Sequence, residues 1–132
     1  MLIFLRYWGP VCAYAALIFF MSSQSHPEDN LPAFVFGLSD KVVHAIEYAV
    51  LGVLCYRALR GRSGFSWRQQ AVPVAILLAS VYGASDEIHQ SFVPFRDSSW
   101  HDWVADTIGA VLGVLAMHRI VHWKPANSIP EV

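Results

Sequence analysis

The chain has 132 residues, enough for one domain. Hydrophobic residues make up 55%, charged residues only 14%, and mean hydropathy is +0.41, whereas an average soluble domain is about a quarter charged. This balance argues against an ordinary soluble globule, and a net charge of -1 without any basic stripe argues against nucleic acid as a partner.

A membrane helix needs about 20 mainly apolar residues. Residues 3–21 form the first such run. Arg6, the apolar core and the trailing Ser22, Ser23 and Ser25 also fit a signal peptide, but the run is longer than a usual signal core, so a retained helix is expected. Residues 42–59 form the second run, with Asp40, His44 and Glu47 at its start. Residues 71–93 form the third. Pro73 lies in its first turn, where a missing N–H does no harm, and Pro94 is the expected stop. Asp86, Glu87, His89 and Gln90 make its end polar. Residues 103–121 form the fourth, opened by Asp102 and Asp106. In lipid, backbone polar groups must be satisfied within the segment, so each run is predicted to be a helix. The expected fold is all-α: a polytopic membrane protein with four transmembrane helices and a single domain over residues 1–132. Cys12 and Cys55 fall in apolar runs without C-x-x-C spacing and read as small packing residues.

Basic residues set the expected orientation. Arg57, Arg60, Arg62 and Arg68 surround the second connection, and Arg119 and Lys124 follow near the C-terminus. The first connection instead carries Glu28, Asp29 and Asp40 against Lys41. Both termini and the second connection are therefore expected in the cytoplasm. The polar ends of the second, third and fourth helices then all face outward. At 1.5 Å per residue, Glu47 lies about 10 Å deeper than Asp40, and Asp106 about 6 Å deeper than Asp102. A polar funnel in the outer half of the bilayer is the result. Trp100 and Trp103 are expected at its outer interface, and Trp67 and Trp123 at the inner one.

Charges in lipid are costly and usually face a bundle interior or a watery cavity, so these residues are the candidate site. Asp40, His44, Glu47 and Leu51 share one helix face, with Lys41 and Tyr48 flanking. Tyr82, Asp86, His89 and Gln90 share another, with Glu87 turned aside. Asp102, Asp106, Gly109 and Gly113 share a third; the two glycines form G-x-x-x-G, which lets another helix approach closely. His44 is expected beside Asp40 and Glu47 and opposite Asp86; the unperturbed pKa of an imidazole is near neutrality, which suits general acid or base work. His26, His101, His118 and His122 carry no comparable case, and His89 is intermediate. Arg96 is expected to pair with Asp86, Asp97 or Asp102, or to hold a ligand's phosphate or carboxylate. The candidates for catalysis are His44, Glu47, Asp86, Glu87, Asp102 and Asp106. The candidates for ligand binding are Asp40, Lys41, His44, Tyr48, Asp86, Gln90, Arg96 and Asp102. No cofactor is expected. A divalent metal on His44, Glu47, Asp86, Asp102 and Asp106 is a further option, magnesium, calcium or manganese suiting it better than zinc, but paired charges and waters are preferred.

These residues resemble the VanZ-like family of membrane proteins. The resemblance runs through Asp40-Lys41-x-x-His44-x-x-x-Tyr48-x-x-Leu51-Gly52, then Asp86-Glu87-x-x-Gln90-x-Phe92-x-Pro94-x-Arg96, then Asp102-x-x-x-Asp106-Thr107-x-Gly109-x-x-x-Gly113. Members often carry Gly where this chain has Phe95, and Asn where it has Asp106. The resemblance implies a small multi-pass bacterial membrane protein, and a family association with glycopeptide (teicoplanin) resistance. Two classes of function follow. One is a factor that binds a membrane lipid, a lipid-linked envelope precursor or a lipoglycopeptide. The other is an intramembrane acid–base enzyme on such a molecule, with water or a substrate hydroxyl attacking, since no Ser or Cys nucleophile is expected in the cluster. Ion or proton transport ranks lower, because no ionisable chain is expected through the inner half and an oligomer would be needed. The bland alternative is a polar network that fixes helix register.

Overall fold

The computed structural model describes residues 2–25, 40–61 and 68–123. His26, Glu28, Asp29, Arg62, Trp67 and Lys124 lie outside the described residues. Four helices make up the fold: α1 (Leu2–Ser22), α2 (Asp40–Gly61), α3 (Ala71–Gln90) and α4 (Trp100–His122). All four are long and apolar enough to cross a membrane. Their free faces carry large apolar side chains such as Phe20, Ile46, Leu77, Ile88 and Leu112, each more than half exposed. An apolar exterior around a polar interior is the arrangement of a multi-pass membrane protein.

α2 is the centre of the bundle and packs most closely on α4. Small residues make this contact: Ala45, Ala49 and Gly52 of α2 meet Gly109, Ala110 and Gly113 of α4. A Cβ on Gly109 would collide with the Ala45 carbonyl, and one on Gly113 with the Ala49 carbonyl. The G-x-x-x-G pair thus sets the separation of the two backbones, as expected from its spacing. α3 presents Ala71, Ala75, Ala79 and Gly83 inward, a small-residue stripe at four-residue intervals. In α1, Val11, Ile18 and Ser22 are the buried residues among those described.

The third helix is shorter than the expected residues 71–93 and ends at Gln90. Residues preceding a proline avoid the helical region, so Val93 cannot continue α3 into Pro94. The chain leaves instead through tight turns, Phe92 N–H donating to His89 O at 3.0 Å and Val93 N–H to Gln90 O at 3.0 Å. Phe95 then takes φ 64°, in the left-handed region. A β-carbon costs about 1–2 kcal/mol there, and glycine avoids that cost. Phe95→Gly is therefore expected to stabilise the fold by about 1 kcal/mol, measured as a rise in unfolding midpoint in detergent. An unchanged or lower midpoint would show that the Phe95 side chain contributes more than its backbone loses.

Candidate functional site

The polar ends of α2, α3 and α4 converge at one end of the bundle. At their centre His44 Nδ1 lies 2.9 Å from Asp106 Oδ1, with Asp106 fully buried and His44 nearly so. This partnership differs from the expected one with Asp86. The cause is the glycine contact one turn further along α4: drawing Gly109 onto Ala45 carries Asp106 against α2 at His44. Asp40, one turn before His44, has its nearest carboxylate oxygen 4.0 Å from His44 Nε2, and its side chain is 72% exposed. Tyr48, expected at the flank, is completely buried beneath His44.

Lys41 Nζ donates to Asp102 Oδ1 at 2.8 Å and closes the α2–α4 mouth. Glu87 faces inward after all. Its Oε2 accepts the Ser99 N–H at 2.8 Å, which ties the end of α3 to the N-cap of α4. On α3, Gln90 Nε2 donates to Asp86 Oδ2 at 3.0 Å, a buried i,i+4 pair.

Next to this core lies a pocket of about 80 Å³, bounded by α1, α2, α3 and the segment after α3. A water molecule occupies about 30 Å³ in the liquid, so the pocket takes a few waters or one small ionic group. His44, Glu47, Asp86, Gln90 and Arg96 contribute its polar wall, with Asp40 at the edge and Ile18 and Met21 its apolar wall. Arg96 is in none of the ion pairs among the described residues, so the expected pairing with Asp86, Asp97 or Asp102 is corrected. Asp102 is already held by Lys41 and Asp86 by Gln90. The Arg96 Nε is buried with no hydrogen-bond partner among the described residues.

Sequence reasoning placed His89 on the polar face of the third helix, as an intermediate case, but missed Ser22. Ser22 is buried, lines the same pocket, and has Oγ 3.2 Å from His89 Nδ1. Phe19, about one turn before Ser22, stacks on the His89 ring with centroids 4.5 Å apart. A hydroxyl therefore does enter the cluster. The local signal was the serine at the end of an apolar run, but only the packing of α1 on α3 gives it a partner.

At the opposite end of the bundle a second polar group forms. Tyr56 OH lies 2.9 Å from His118 Nδ1, and Arg60 Nη1 lies 2.9 Å from His122 Nε2. These histidines are thus partnered, as structural residues would be. Asp106 and His118 are twelve residues apart on α4, about 18 Å at the helical rise, with no acidic or basic residue between them. The two polar ends are not joined along that helix.

Three blocks of residues converge here in space: Asp40 to Gly52, Asp86 to Arg96, and Asp102 to Gly113. The VanZ/LLP1 family model matches residues 7–122, nearly the whole chain. The chain belongs to the VanZ/LLP1 family. No curated protein and no solved structure matches it. In this VanZ/LLP1 chain the three blocks are the first half of α2, the end of α3 with the segment after it, and the first half of α4. The frequent glycine of VanZ-like sequences falls at Phe95, where the backbone is left-handed.

Proposed function

We propose that the pocket receives the polar group of an amphiphilic cell-envelope molecule, a lipid-linked precursor or a lipoglycopeptide. The observation that carries this reading is Arg96: a guanidinium at the wall of a polar pocket, unpaired among the described residues, at the end of a bundle with an apolar exterior. Guanidinium groups bind phosphate or carboxylate oxygens in pairs, and the exposed apolar helix faces suit an acyl chain. Arg57, Arg60, Arg68 and Arg119 lie at the other end, which supports a cytoplasmic placement of that end and an outward opening of the pocket in a bacterial inner membrane. A role in glycopeptide susceptibility is the corresponding phenotype.

The test compares envelope lipids and lipid-linked precursors by mass spectrometry in a deletion strain. The strain is complemented with wild type, Arg96→Gln, Asp86→Asn or empty vector, and teicoplanin susceptibility is read in parallel. One species is expected to change in abundance with the deletion and with Arg96→Gln alike. Identical profiles in all strains, together with no binding of those lipids by purified protein, would overturn the reading.

A second reading is catalysis on the same molecule. It is favoured by the Ser22 hydroxyl within reach of His89, and by Glu47 and Asp86 beside His44 in the pocket. Under it, Asp86→Asn binds the molecule but no longer converts it. Full turnover by Asp86→Asn would reject it.

A further inference from the structure

We propose that His44, Glu87 and Asp106 form a binding site for one divalent cation. Each residue offers a ligand atom, and these atoms lie within 4.8 Å of one another. All three residues are buried and come from three different helices.

Two further observations point to a cation. First, Glu87 Oε1 and Asp106 Oδ2 are buried without a hydrogen-bond donor among the described residues, although each residue's other oxygen has one. A buried carboxylate oxygen left unsatisfied is costly, and a metal ion satisfies it. Second, the site is rich in acid. Asp40, Glu47, Asp86, Glu87, Asp102 and Asp106 gather there, with Lys41, His44 and Arg96 as basic groups and His89 at the edge. Acid remains in excess even with His44 protonated. The 2.9 Å contact of His44 Nδ1 with Asp106 Oδ1 is a hydrogen bond, which His44 would have to give up to ligate a cation through that nitrogen.

A second grouping, Asp40, His44 and Asp102, also lies within 4.8 Å. It is the poorer site, because Asp102 is engaged by Lys41 and Asp40 is mostly exposed. One imidazole and two carboxylates suit manganese or zinc, since imidazole favours the later metals and carboxylate the harder ones. Three protein ligands leave coordination positions open for water or for an oxygen of a bound anion. The cation thus deepens the proposed anion pocket, and it rests on that reading only for what the open positions would hold.

The test uses the full chain purified in detergent, washed with chelator and then titrated with manganese or zinc chloride. Bound metal is measured by elemental mass spectrometry and affinity by calorimetry. About one equivalent is expected. Glu87→Gln keeps the side-chain shape and the oxygen for Ser99, and is expected to weaken binding about tenfold or more, as even loss of an outer-shell partner can. Asp97→Asn is expected to bind like wild type, and Asp40→Asn tests the second grouping. Folding of each variant is followed by size exclusion and circular dichroism. No bound metal in folded wild type would overturn the proposal. So would unaltered affinity in folded Glu87→Gln, or a loss confined to Asp40→Asn. Metal binding is read without any lipid, so its failure is distinct from failure of the anion reading.

Discussion

Gly109→Ala is expected to destabilise the bundle by about 3 kcal/mol or more, the upper part of the range for forcing atoms into a packed core. The added Cβ would meet the backbone carbonyl of Ala45, not the end of a side chain that can swing away. Relief requires α2 and α4 to move apart. That movement would also separate His44 from Asp106, one turn away on the same two helices. The loss of stability should therefore come with a loss of site geometry. Gly9→Ala is the matching control. Apart from its chain neighbours and its own helix backbone, nothing lies within 4 Å of a Cβ at Gly9 in α1, so no collision between helices follows there. The gain of replacing a helical glycine and the crowding against Pro10 oppose each other, and the change is expected to be within about 1 kcal/mol. Unfolding of both variants in detergent, followed by tryptophan fluorescence, measures the contrast. Equal midpoints would show that the close approach at Gly109 does not limit the packing.

Asp106→Ala is expected to cost about 3 kcal/mol or more, because it leaves a buried His44 without its partner. Neutral side-chain hydrogen bonds between membrane helices average only about 0.6 kcal/mol, so a loss of that smaller size would mean that the pair is not ionic. His44→Ala leaves a fully buried carboxylate alone and should cost a comparable amount. The double variant removes both groups, and its cost is expected to fall short of the two single costs together by at least about 1 kcal/mol. The cycle is measured by thermal unfolding of chelator-washed protein, so that metal does not contribute. Additive costs would reject direct coupling between His44 and Asp106.

Much of the fold was legible because it depends on local quantities. Apolar run length marked four helices, and their ends fell within about three residues of the expected bounds. The three-residue shortening at the end of α3 has a local cause as well: Pro94 acts on Val93 before it, not only on itself. Gly109 and Gly113 announced a close helix contact, and the structure supplies one. The left-handed residue at Phe95 was not legible from this chain's own residue, since phenylalanine carries no preference for it. It was foreshadowed only by the glycine that VanZ-like sequences often place there.

The partners within the site were a different matter. Helical periodicity puts Asp40, His44 and Glu47 on one face, yet it does not say how the helix is rotated in the bundle. The structure sets His44 inward, Asp40 outward and Tyr48 fully inside. It gives His44 to Asp106, Lys41 to Asp102 and Gln90 to Asp86, and leaves Arg96 in none of these pairs. It also brings Ser22 of the first helix to His89 of the third, residues 67 positions apart. By itself, then, the sequence determined four apolar helices and a polar group at one end of them, because hydropathy and helical period are properties of single segments. Only the tertiary structure decided which charge meets which, because that depends on how closely two backbones approach. Here the approach is set by glycines and alanines that carry no charge at all.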